Sequence, residues 1–199
     1  EAVANPVRDG NAKAANKNYE KMMSEIFSEC RRVLSPKGIL SLMFTHKTQE
    51  AWETLTKSLI NSGWVISASA PVEAESTHSM HLMQKAGAVS SVFISCRKKK
   101  IKNSEPMLWT GLGGTGVAQQ IRIAVQEGLK EFEALKLNPV AEMVASYGRA
   151  VRVLSQNWPV IDGDEPVGPI RAMNEASRVA AENQISRITK GRIRVADPS

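Results

Sequence analysis

Arg32-Val33-Leu34-Ser35-Pro36-Lys37-Gly38-Ile39-Leu40-Ser41-Leu42-Met43-Phe44-Thr45 is the stretch on which the reading of the fold turns. Upstream of it, Tyr19, Met22, Met23, Ile26, Phe27, Cys30, Val33 and Leu34 recur at three- and four-residue steps, which predicts a helix with one buried face over residues 12–34. Pro36 drives Ser35 out of helical geometry, and Gly38 gives the turn its freedom, so 35–38 ends the helix and reverses the chain. Residues 39–45 are too few and too continuously apolar for a surface helix. They predict a parallel strand covered on both faces.

Working outward, Thr48 is placed to cap a second helix, with Glu50 in its first turn and Trp52, Leu55, Leu59 and Ile60 as its buried stripe. Gly63 stops that helix. Residues 64–72 and 88–96 read as two further strands, the latter rich in Val, Phe and Ile. The polar segment 73–87 between them predicts a functional loop or short helix. Helix, strand, helix, strand, loop, strand is half of an alternating α/β sheet, because the upstream strands that a parallel strand at 39–45 needs are absent. After Lys102 the character changes. Residues 103–116 form a glycine-rich connection, and 117–199 reads as helices only. Ile121, Val125, Leu129 and Phe132 mark the first, Asn138 and Pro139 open a second, and Pro169 opens a third with Ile170, Met173, Ala176, Val179, Ile185 and Ile188 inward.

Of 199 residues, 42% are hydrophobic and 23% charged, the balance of a folded chain rather than a disordered one. No run approaches the roughly 18 apolar residues of a membrane helix. Residues 1–18 carry no apolar leader, and the chain reads as a piece of a longer polypeptide. Cys30 and Cys96 lie far apart, which excludes a self-contained zinc ribbon or disulfide framework and predicts a reducing, cytoplasmic setting with no metal site. A formal charge of +6, from 26 Lys and Arg against 20 Asp and Glu, favours a polyanionic partner.

The motif Arg32-Val33-Leu34-Ser35-Pro36-Lys37-Gly38 before an apolar strand resembles the late part of a class I, S-adenosylmethionine-dependent methyltransferase. Met43-Phe44-Thr45-His46-Lys47, Glu50-Ala51-Trp52, Ser62-Gly63-Trp64, Pro71-Val72-Glu73-Ala74-Glu75 and Ser95-Cys96-Arg97 narrow the resemblance to the C-terminal part of the large prokaryotic adenine-specific DNA methylases, many of which also carry a zinc ribbon and a domain of unknown function. Asn5-Pro6, Tyr19-Glu20-Lys21-Met22-Met23 and Tyr147-Gly148-Arg149-Ala150 fit the same pattern. The resemblance implies an α/β fold: the C-terminal half of a Rossmann-like methyltransferase sheet over 1–102, the connection 103–116, and an α-helical extension over 117–199. It also implies transfer of a methyl group from S-adenosylmethionine to adenine N6 in DNA. In that family the cofactor lies on a glycine-rich turn after the first strand, and the flipped adenine on an Asp-Pro-Pro-Tyr-type motif after the fourth. Neither motif is in this sequence, so the resemblance makes the chain inactive alone and dependent on an N-terminal methyltransferase half or a partner subunit. Two alternatives stand beside it: a non-catalytic nucleic-acid-binding or assembly module, and a methyltransferase acting on RNA or a small molecule.

No catalytic residue is assigned. Ligands of open α/β sheets bind beyond the carboxyl ends of the strands, where Thr45-His46-Lys47 follows the first strand. His46 can hydrogen-bond a substrate and Lys47 a phosphate, against the plainer reading that His46 caps the next helix. Glu73 and Glu75 follow the next strand and can orient substrate groups, or are exposed loop carboxylates. Arg97, Lys98, Lys99, Lys100 and Lys102 form a basic run that can lie on a DNA backbone, or is a solvated strand exit. Residues 111–116 lack the lysine of a phosphate loop and read as a flexible connection. His78 and His81, three apart, have no third ligand near them in the sequence.

Overall fold

The computed structural model describes residues 4–46, 48–72, 91–99 and 105–189. A short helix α1 (Pro6–Asp9) starts at Asn5, whose side chain accepts the Val7 and Arg8 amides. Helix α2 (Ala12–Val33) starts at Asn11, whose side chain accepts the Ala14 amide. Both starts are Asn caps, which satisfy amides that the first turn leaves without partners. As the proline predicts, α2 gives way to extended backbone at Leu34, and the Gly38 amide closes the turn on the Ser35 carbonyl at 3.0 Å. Strand β1 (Leu40–Phe44), helix α3 (Gln49–Asn61), strand β2 (Trp64–Val72) and strand β3 (Ser91–Lys98) follow.

The expectation for β1 is corrected. The sheet order is β1-β3-β2, and both neighbouring pairs are antiparallel. β1 therefore takes its hydrogen bonds from a strand later in the chain, not from an upstream parallel one. Its side chains alternate: Leu40, Leu42 and Phe44 are half-buried, whereas Ser41 and Met43 are exposed. One covered face explains this, since a two-residue period sends successive side chains to opposite sides. β1 and β2, each antiparallel to β3, run parallel to one another and are joined through α3. This is a crossover unit with a third strand inserted between its two strands.

Downstream lie strand β4 (Met107–Leu108), helix α4 (Val117–Phe132), helix α5 (Pro139–Gln156), strand β5 (Val160–Asp162), strand β6 (Glu165–Pro166) and helix α6 (Pro169–Ile188). The predicted all-helical region beyond residue 117 thus contains a small hairpin. β5 pairs antiparallel with β6 across Gly163-Asp164, and parallel with β4 from the glycine-rich connection. Pairs this short are invisible to a periodicity argument, but Asp162-Gly163 is itself a turn signal. Gly116 belongs to this arrangement by close approach: a Cβ there would fall 2.2 Å from the Trp109 carbonyl oxygen.

The expected boundary at 103–116 does not separate two cores. One continuous cluster joins Trp52, Leu59, Trp64, Ile66, Val92 and Ile94 of the first part to Ile121, Val125, Val151, Leu154 and Met173 of the second. α5 lies against β2, and at their contact Gly148 leaves no room for a side chain: a Cβ would meet Ser69 Cβ at 2.9 Å and Val92 Cγ1 at 3.2 Å. α5 also closes the outer edge of β2. Ser155 Oγ accepts the Ile66 amide at 2.9 Å, and Gln156 Nε2 donates to the Ile66 carbonyl at 3.2 Å. Fully burying side chains of this kind stabilises by about 1.5–3 kcal/mol each, so this shared core holds sheet and helices as one body. The fold is mixed α/β. No helix among the described residues is long and apolar enough to cross a membrane.

Candidate functional site

A cleft of about 310 Å³ opens between α2 and α3 at the carboxyl end of β1. Its size sits at the low end of the range for small-molecule pockets, roughly 300–1,000 Å³, enough for one ring system rather than an extended cofactor. Tyr19 and Met23 of α2, Phe44 of β1 and Leu55 of α3 supply the apolar wall, and Asn16, His46, Thr48 and Glu50 stand among the polar groups lining it. The helical period of α2 brings Asn16, Tyr19 and Met23 to one side, three and four residues apart.

His46 is held from several directions. Its carbonyl accepts the Trp52 indole N–H at 3.1 Å, and its Nδ1 accepts the Thr48 amide at 3.1 Å. Thr48 occupies the cap position of α3 without a side-chain cap bond to the helix, so the local polar contact runs through the imidazole. A neutral imidazole whose Nδ1 accepts carries its proton on Nε2, which leaves one fixed donor for a ligand. The His46 ring lies nearly parallel to Phe44, at 20° with centroids 6.3 Å apart, and Phe44 meets Trp52 edge-on at 5.0 Å. Trp52, fully buried, then meets Tyr147 of α5 at 6.2 Å. The aromatic chain therefore ties the cleft wall to the shared core. Among the described residues, the Tyr19 hydroxyl, the Asn16 amide and the Glu50 carboxylate make no hydrogen bond, so all three are available at the rim. Glu50 sits in the first turn of α3, the end of a helix that an acidic side chain complements.

The sequence placed His46 here. Tyr19 and Met23 were legible only as core positions and Glu50 only as a dipole partner, and Asn16 carries no signal in the sequence at all. Lys47, Glu73 and Glu75, with His78 and His81, lie outside the described residues, as do Lys100 and Lys102 of the basic run. The described members of that run are at the other end of the sheet. Arg97 Nη1 donates to the Lys37 carbonyl at 3.2 Å, Lys98 Nζ to the Leu34 carbonyl at 2.5 Å, and Lys99 Nζ to the Trp158 carbonyl at 2.7 Å. The register places this end beyond Leu40, which pairs with Cys96, while the cleft lies beyond Phe44, which pairs with Val92. At the helix start that follows the glycine-rich segment, the Ala118 amide in the first turn of α4 is taken by the Trp109 carbonyl at 3.1 Å.

Among the described residues there is no group of three His, Cys, Asp or Glu side chains placed to hold a metal ion. Burial pushes the Cys96 thiol up to about 12, which leaves it an unreactive core group rather than a nucleophile. Hydrogen bonding to Arg8 lowers Asp9, and hydrogen bonding to Glu142 raises Arg187. None of these four residues lines the cleft. No family model, curated protein or solved structure matches the chain.

Proposed function

We propose that this chain is the C-terminal part of an adenine-specific DNA methyltransferase of the S-adenosylmethionine-dependent class, acting in the cytoplasm. The observation that carries the reading is the cleft at the carboxyl end of β1, lined by His46 of the Met43-Phe44-Thr45-His46-Lys47 motif. The crossover from β1 through α3 to β2 supports it, because the end of a sheet built from such units is where ligands collect. The chain's contribution is a wall: an aromatic and aliphatic side, the His46 Nε2 donor, and the unpaired Tyr19, Asn16 and Glu50 groups. Methyl transfer from a sulfonium to an exocyclic amine requires donor carbon and nitrogen in line, within a pocket that accepts the extruded base. S-adenosylmethionine, which supplies the methyl group, is held mainly by residues outside this chain.

The polypeptide of the complete reading frame, given methyl-labelled S-adenosylmethionine and duplex DNA, is expected to label adenine N6. Labelling of RNA alone, or of neither polymer, overturns the reading. The isolated chain is expected to give no calorimetric signal with S-adenosylmethionine, and micromolar binding would contradict the placement of the cofactor site elsewhere. A second reading, a nucleic-acid-binding module without catalysis, is favoured by the cations at the opposite end of the sheet.

A further inference from the structure

The basic run of the sequence is only part of a larger cluster assembled by the fold. α2 brings Arg31, whose Nε donates to the Gly63 carbonyl at 3.1 Å and whose Nη2 donates to the Lys99 carbonyl at 3.4 Å. The turn before β1 brings Lys37, whose carbonyl receives Arg97. Arg31, Lys37, Arg97, Lys98 and Lys99 thus gather around the two turns at 34–38 and 62–64, with Lys37 and Arg97 exposed. Among the described residues none of the five makes an ion pair.

Five of the six described arginines of the helical half are instead ion-paired, Arg152 with its buried, unpartnered Nε being the exception. Arg122 pairs with Glu175 and Glu182, Arg149 with Glu131, Arg171 with Asp162, Arg178 with Glu175, and Arg187 with Glu142 and Glu133. At the basic end, Arg31, Arg97, Lys98 and Lys99 are fixed by carbonyl oxygens instead. A carbonyl restrains a side chain but leaves its full charge. A lysine ammonium has three donors and a guanidinium five, so each keeps N–H groups to spare after these bonds. Proximity to the carboxyl end of α2 accounts for Lys98. It does not account for the exposed Lys37 and Arg97.

We infer that this end of the sheet is a docking surface for the phosphate backbone of duplex DNA, separate from the cleft. The two lie at opposite ends of β1, roughly 17 Å apart for a five-residue strand. Pre-positioned, uncompensated cations match a polymer that carries one negative charge per about 1.7 Å of its axis, and they read charge rather than sequence. The inference rests on the methyltransferase reading only in its choice of DNA as the polyanion.

The test measures binding rather than methylation, so its failure is distinct from failure of that reading. The chain is titrated into a fluorescent duplex between about 50 and about 200 mM salt. The double variant Lys37→Gln/Arg97→Gln is expected to lower the slope of log affinity against log salt by about two, near 0.9 for each phosphate that is no longer neutralised. Lys37→Arg/Arg97→Lys is expected to restore the slope, and Lys13→Gln/Lys21→Gln, on exposed α2, to leave it unchanged. A thermal midpoint equal to the parent's in every variant excludes unfolding as the cause. An unchanged slope in the Gln double variant overturns the inference, as does an equal fall in the α2 variant. Binding to phosphatidylserine vesicles as tight as to DNA also overturns it, in favour of a membrane surface.

Discussion

The two edges of the three-stranded sheet are finished differently. At the β2 edge, Ser155 and Gln156 of α5 satisfy both backbone groups of Ile66, and Gly148 allows the helix to come close enough to do so. At the β1 edge no described residue hydrogen-bonds the outward backbone, and on the uncovered face beside it Met43 is 67% exposed, opposite Phe93 at 40%. The same sheet is thus a sealed interior on one side and an unfinished surface on the other. Backbone groups away from water need partners, whereas those facing solvent find them there. Stability is therefore concentrated at β2 and α5, and β1 is left free to serve the cleft.

Truncating the sealed side is expected to have the largest effect. Trp64→Ala removes a fully buried indole that also donates to the Phe27 carbonyl at 3.0 Å, and should cost about 3–5 kcal/mol in urea unfolding. A loss below about 1 kcal/mol would mean that the two sides are equally loose. Gly148→Ala should cost about 1–3 kcal/mol, because the new methyl forces α5 away from Ser69 and Val92. Ser155→Ala orphans the buried Ile66 amide for about the same, roughly 1–3 kcal/mol, and hydrogen exchange at Ile66 should accelerate. Cys96, on the covered face of the middle strand, gives a pH test. Its folded pKa is raised above the ordinary value of 9.0, so the stability from keeping it protonated is complete below that pH and is lost as pH climbs toward about 12. The parent should therefore lose stability relative to Cys96→Ala only in that alkaline window. A difference appearing below it would place the thiol in a less buried setting. Met43→Lys, on the open side, should change stability by no more than about 0.5 kcal/mol. A larger loss would show that this face is covered after all.

This division also separates what was legible in the sequence from what was not. The periodic stripe ending at Leu34, the Ser35-Pro36-Lys37-Gly38 turn and the Trp52, Leu55, Leu59, Ile60 stripe are local signals, and α2, the turn and α3 follow them closely. Strand direction is not local. Nothing in Leu40-Ser41-Leu42-Met43-Phe44 says that its neighbour comes from residues 91–98 in antiparallel register, and a nearly continuous apolar run reads the same whether one face or two are covered. The packing of α5 onto β2 was likewise unreadable, because glycine at 148 and serine at 155 are small, polar-tolerant residues whose value lies only in what they touch. At the cleft, His46 was visible from its place after a strand, and Asn16 and Tyr19 were not, since they reach it from a helix whose position depends on tertiary packing. The basic run was visible as charge, but its carbonyl partners and its neighbours Arg31 and Lys37 come together only in the fold.

The core shared between sheet and helices has a consequence for the continuity of the chain. If the polypeptide were cut between Lys99 and Glu105, neither fragment would retain a complete interior, because Trp64 and Ile66 belong to one piece while Val151 and Leu154 belong to the other. The two fragments should reassociate as a stoichiometric, non-covalent pair, the behaviour of a single cooperative unit.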